Sequence, residues 1–246
     1  MEMLINVKNY LAFACLFAAL AARATTLTYT GANAGDWDTP SNWDGGAVPT
    51  IDDDVVINAK WVKAAGSVSA NSITITGTAS TLNAGLVIGG TTATEAGIIA
   101  QTPIDATSTA PIALNVAGNL ALDKAGLSLG GRDAAGHVSA SIGGDFVVTN
   151  GAIAAFYAGV VLGISYTDVA GMSAALYAGA DIVTVGGEMR IGAGSTVHPE
   201  NNKVSGTPII FKPTDFTLEA GGVLSATGRG FGWFPIVDAA SPQLSN

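Results

Sequence analysis

One phrase of apolar and polar positions returns along this chain. It is a strand in which apolar residues alternate with polar or small ones, then a Gly-centred turn, one polar residue and a second alternating strand. It runs from Leu114 to Leu122 (LNVAGNLAL), from Ala140 to Val148 (ASIGGDFVV) and from Val183 to Ile191 (VTVGGEMRI). A weaker copy without the Gly pair runs from Ile209 to Leu218 (IIFKPTDFTL). Alternation with a period of two predicts half-buried strands. Ser72–Thr76 (SITIT) alternates in the same way, and Gly77, Gly85, Gly89 and Gly90 break the pattern soon after it. Glycine suits such breaks because it reaches positive φ without steric cost.

The polar residue after each turn aligns from copy to copy: Asn119, Asp145, Glu188 and Asp215, at separations of 26, 43 and 27. The long middle interval predicts an extra segment near 164–178. A short unit that recurs this way cannot bury its apolar face alone and must stack on its neighbours. The prediction is an all-β chain folded as a parallel β-helix, a solenoid in which inward Val, Ile and Leu form one continuous core. A β-sandwich or jelly roll also has short strands and Gly-rich turns, but it has no reason to repeat one phrase.

Composition adds an address. Residues 1–24 have the form of an export signal: Lys8, a twelve-residue apolar run from Leu11 to Ala22, and the small-x-small site Ala22-Arg23-Ala24. The run is shorter than the roughly 20 residues a bilayer span needs, and no later segment qualifies. Cleavage after Ala24 removes Cys15, the one cysteine of the chain. The exported protein would then be held by burial and backbone hydrogen bonds without disulfides. Removing Glu2, Lys8 and Arg23 takes the net charge from -9 to -10. An acidic chain is a poor partner for nucleic acid, whose phosphates need a basic surface. Charged residues are only 12% of the chain while hydrophobic ones are 48%, which excludes intrinsic disorder.

Three zones follow the signal. Residues 25–63 form an opening, capping segment, residues 64–227 the repeat region, and residues 228–246 a Gly-rich tail that reads as a chain cut short. The opening segment holds Trp37, Trp43 and Trp61 of the four tryptophans. From Thr28 to Ile57 it reads TYTGANAGDWDTPSNWDGGAVPTIDDDVVI. The sequence here is a Trp, an Asp/Pro turn, Asn42-Trp43, a Gly pair, Pro49, an acidic turn and the strand Val55–Ile57. This segment resembles the opening of exported bacterial β-helical proteins of the autotransporter-passenger and filamentous-adhesin type. The resemblance implies the fold, the export route and an extracellular or cell-surface location, and it brings no catalytic residue. Those large proteins end in an outer-membrane β-barrel, which this sequence does not show.

Candidate chemistry is sparse. Trp37 and Trp43 suit the cap of a strand stack, since bulky rings cover an open core; the sharper alternative is a stacking platform for sugar rings. Asp52, Asp53 and Asp54 offer oxygen ligands for Ca²⁺, but they lack the spacing of an EF-hand loop, and a solvated turn is the simpler reading. Asp145, Glu188 and Asp215, with Asn119, would stack in one register. They would form either a cation-binding ladder, a carboxylate pair for glycan chemistry, or plain turn residues. His137 and His198, the only histidines, sit in loop-like stretches without ligand spacing. Arg132, Arg190 and Arg229 are scattered. No nucleophile elbow or nucleotide loop is present. The sequence therefore favours a secreted or surface-exposed, non-enzymatic, adhesin-like scaffold without a cofactor, meeting an extracellular polysaccharide or cell-surface component. The alternative is a polysaccharide lyase or glycoside hydrolase on the same scaffold.

Overall fold

The computed structural model describes residues 24–78, 82–89, 112–130, 138–159, 181–201 and 208–226. The export signal expected before residue 24, the extra segment expected near 164–178, the tail, Arg132, His137 and Arg229 lie outside the described residues.

The regular structure of the described residues is strand, apart from one 3₁₀ turn. The opening segment supplies β1 (Thr26–Thr28), β2 (Gly35–Asp36), β3 (Asp54–Asn58) and β4 (Trp61–Ala64), with one 3₁₀ turn at Pro40–Asn42. Next come β5 (Val68–Ala70), β6 (Ser72–Thr76) and β7 (Gly85–Ile88). The phrase from Leu114 to Leu122 falls on β8 (Ile112–Val116) and β9 (Leu120–Asp123), followed by β10 (Gly126–Leu129). Its second copy falls on β11 (Val138–Ile142) and β12 (Phe146–Thr149), followed by β13 (Ile153–Tyr157). In the third copy both strands fuse into β14 (Asp181–Ile191), followed by β15 (Thr196–Glu200). The weak copy is β16 (Ile209–Leu218), followed by β17 (Val223–Leu224).

Every pairing between these strands is parallel, in a ten-stranded and a seven-stranded sheet. Strand β14 joins the two ladders of the ten-stranded sheet: Val183–Val185 pair with β11, and Met189–Ile191 pair with β12. Like positions of the recurring phrase lie over one another. Leu114 is opposite Ala140, Ala140 opposite Val183, and Val183 opposite Phe211. In the second half, Leu120, Phe146, Met189 and Phe216 follow in line. Phe211–Leu218 of the weak copy is one residue shorter than its partner stretch Val183–Ile191, so the register shifts between Val185 and Glu188, where Gly186-Gly187 face the single Thr214. The Thr214 hydroxyl donates to the Gly186 carbonyl at 2.8 Å and covers the gap.

From β5 onward the chain visits the sheets in a fixed order: a strand of the β5–β8–β11 ladder, a strand of the β6–β9–β12 ladder, then a strand of the seven-stranded sheet. From β7 onward the return from that sheet to the next pass is the longest connection. Residues 89–111 and 158–180 are long returns of equal length, and residues 130–137 and 201–208 are short ones of equal length. Long and short alternate, so the uneven 26, 43 and 27 spacing reflects a unit of two passes. Gly89 and Gly130, one residue beyond β7 and β10, both take φ 81, a left-handed bend that side chains rarely adopt.

One core runs through all passes. Alternate residues such as Val55, Ile73, Leu120, Phe146 and Met189 are buried, and their neighbours face outwards. The seven-stranded sheet departs from this pattern. Strands β7 and β10 are buried at every position, and Trp61, Val87, Ala155 and Tyr157 form a second apolar cluster on its other face. A continuous apolar or small-residue run is what a strand covered on both faces requires.

Phe146 is fully buried and meets Phe156 edge-to-face at 5.9 Å between ring centres. Phe146→Ala is expected to lower the unfolding free energy by about 3–5 kcal/mol. Ser141→Ala, on the exposed side of β11, should change it by about 0.5 kcal/mol or less. Urea unfolding of both variants followed by circular dichroism checks the contrast.

Candidate functional site

The opening segment folds over one end of the stack around three rings. Trp37 and Trp43 are 1% and 2% exposed. Their rings meet at 4.8 Å, nearly perpendicular, and Tyr29 meets Trp43 edge-on at 5.2 Å. The indole N–H of Trp43 donates to the Trp37 carbonyl at 2.8 Å, so the polar edge is satisfied inside the cluster. The Tyr29 hydroxyl donates to the Ala32 carbonyl. Burial, and secondarily the Asp36 charge, raise its pKa above the ordinary phenol value. The Asn42 amide donates to the Asp36 carbonyl and fixes the turn between the tryptophans. The ring faces that a sugar would stack on are occupied by aromatic neighbours.

The acidic run is divided. The Asp53 carboxylate accepts both the backbone N–H of Thr50, at 2.9 Å, and its hydroxyl, at 2.7 Å. These bonds close a local turn. Asp54 begins β3, and its Oδ1 accepts from the Asn71 amide at 2.8 Å and from the Ser72 hydroxyl. Its carboxylate therefore ties β3 to β6. Asp52 is exposed, and its backbone N–H donates to the Thr50 hydroxyl. Among the described residues no group of three or more His, Cys, Asp or Glu side chains could hold a metal ion.

The register acids do come together, and their oxygens have a defined task. The backbone N–H of Asp145 donates to Asn119 Oδ1 at 2.8 Å, and the backbone N–H of Glu188 donates to Asp145 Oδ1 at 2.8 Å. Each side chain thus receives the amide of its successor in the next pass. The glycine before each acid makes this approach feasible. A Cβ on Gly144 would overlap Asn119 Oδ1, and one on Gly187 would overlap Asp145 Oδ1. The same pair of glycines stacks by backbone, Gly144 N–H to the Gly118 carbonyl and Gly187 N–H to the Gly144 carbonyl. Glu188 turns its own carboxylate to the Thr217 hydroxyl, and Asp215 lies opposite Glu188, exposed. An isolated carboxylate on such a ladder would repel its neighbours; bonds to amide and hydroxyl donors offset that repulsion.

Two partners escaped the sequence. Arg190 pairs with Glu219 from the following pass, Nε to Oε1 at 2.7 Å. The bond from Arg190 and that from the Ala193 amide hold the Glu219 carboxyl below its ordinary pKa. His198 sits on β15 with its Nδ1 3.1 Å from the Ser225 carbonyl. Both contacts cross from one pass to the next. A separation of 26 to 29 residues between Arg, His and a partner was the only sequence signal for them. Among the described residues no helix is long and apolar enough to cross a membrane. No protein-family model, curated protein or solved structure matches the chain.

Asp145→Ala removes the acceptor for the Glu188 amide and should cost about 1 kcal/mol of stability. Asp145→Asn keeps an oxygen in place, as Asn119 does one pass earlier, and should cost less than half of that; chemical unfolding of the pair decides. A carboxyl with a lowered folded pKa contributes stability above its unfolded pKa and loses it as pH falls through the folded value. The Glu219 carboxyl resonance should titrate below that of an unperturbed glutamate, and Arg190→Ala should move the midpoint upwards.

Proposed function

We propose that this chain is a parallel β-helix acting as an exported, non-enzymatic scaffold that presents a surface to an extracellular polysaccharide or a cell-surface component. The observation that carries the reading is the use made of the aligned acids. Asn119 and Asp145 give side-chain oxygens to the next pass, and Glu188 gives its own to Thr217. Glycoside hydrolysis needs two carboxyl groups free to act on one bond from opposite sides. Here the Asp145 and Glu188 carboxylates fasten one pass to the next. The fixed order of parallel strands supports the β-helix, and the resemblance of residues 28–57 to exported adhesin-type proteins supports the export route. The capping role of Trp37 and Trp43 belongs to the same reading, because their rings are spent on each other and on Tyr29.

The test is a combined glycan-array, cell-surface binding and polysaccharide depolymerisation screen on the purified protein, with and without a Ca²⁺ chelator. The expected result is binding to a surface glycan or cell surface without cleavage, unchanged by chelator, since Asp53 and Asp54 already hold protein donors. Cleavage of any polymer, or silence across glycans, matrix and cells, would overturn the proposal. Cleavage that survives Asp145→Asn, Glu188→Gln and Asp215→Asn together would place the chemistry away from the aligned acids.

A further inference from the structure

The two ends of the strand stack are unlike. At the first end Leu27, Tyr29, Trp37 and Trp43 are all buried. Strands β1 and β2 are only three and two residues long, so little bare edge remains. At the other end the last pass lies open. Phe216, Leu218 and Leu224 are 46%, 48% and 42% exposed, whereas Met189, Ile191 and Val197, directly opposite them in the preceding pass, are fully buried. Val223 is exposed beside them. These are core positions that no further pass of the described residues covers, along a ten-residue strand at the edge of the described sheet. Most of the large exposed apolar side chains of the described residues gather on this one surface, a concentration that calls for an occupant.

We infer that the occupant is the chain's own continuation, residues 228–237, which covers the open end with aromatic side chains as the tryptophans cover the first. Strand β17 stops at Leu224, inside the exposed patch, so the continuation starts where it is needed. It reads GRGFGWFPIV and offers Phe231, Trp233, Phe234, Ile236 and Val237 with Pro235, the same ingredients of ring, proline and glycine as the segment around Trp37, Pro40 and Trp43. A short tether keeps such a segment at an effective concentration in the millimolar range. A second copy of the chain fits the edge less well. Pro213 stands within β16 and has no N–H to give to an added strand. Lys212, Asp215 and Glu219 further interrupt the apolar surface.

Amide hydrogen exchange on the full chain, over a hundredfold range of protein concentration, tests this against the variant F231S/W233S/F234S. The expected result is slow exchange of Phe211–Leu218 that does not depend on concentration, and at least tenfold faster exchange there in the triple variant. The amides of β11 and β12 should keep their protection, which also reports that the variant folds. Equal rates in wild type and variant would overturn the inference, as would protection that grows with concentration, the mark of a second copy on this end. An independent measurement uses Leu218→Cys with Phe234→Cys in a chain lacking Cys15. A disulfide within one chain is expected, and one formed only between chains would overturn the inference.

Discussion

The whole structure depends on one constraint: a residue in one pass must lie about 4.8 Å from its counterpart in the next. Parallel register makes that spacing unavoidable, so side-chain volume has to be settled column by column. The β11–β12–β13 pass shows how. It carries the small Ala140 and Ala154 at inward positions, together with the large Phe146 and Phe156. Those two rings meet edge-to-face, and Phe156 meets Phe211 from a later pass at 5.2 Å. Ala140 stands opposite the larger Leu114 of the preceding pass. Close packing of this kind comes from exchanging volume within a pass, since no column can change width alone.

The same spacing governs the polar groups. An amide N–H of one pass lies within reach of a side-chain oxygen of the pass before it, provided the backbone between them carries no Cβ. The Gly-Gly-acid turn meets both conditions. Glycine here is chosen for the space it leaves to a neighbour, since Gly144 and Gly187 do not need left-handed backbone. Arg190 with Glu219, Asn71 with Asp54 and Asn150 with Asp123 repeat the principle with longer side chains. Much of the charge on the outer surface is thereby spent on cohesion between passes.

The strands were legible because their inward residues alternate, and the register was legible because one polar residue after the turn (Asn119, Asp145, Glu188 and Asp215) marks the same point in each copy. The all-β, parallel character follows from these two signals. The seven-stranded sheet was harder to read. Gly85–Ile88, Gly126–Leu129 and Ile153–Tyr157 are apolar or small at nearly every position, and such runs do not show which face is inward. The role of the acids was half legible. Their alignment could be counted, but the bond from Asp145 to the Glu188 amide depends on the missing Cβ of Gly187, a three-dimensional fact. The opening tryptophans stood out in the sequence by their number and neighbours, while the mutual orientation of their rings did not. The alternation of long and short returns was present in the numbers 26, 43 and 27, yet only the strand boundaries reveal that the unit is a pair of passes.

Those returns all leave the chain at one corner, between the seven-stranded sheet and the next pass. The other two corners are short and stacked, and β14 crosses one of them as a continuous strand. The number of residues between one pass and the next varies there, eight or twenty-three, while the strands on either side keep their parallel register. Evolution, or a protein engineer, can therefore rewrite one flank of the molecule while the register on the other two flanks holds. A graft of foreign sequence between Tyr157 and Asp181 would leave the paired strands before and after it in their register.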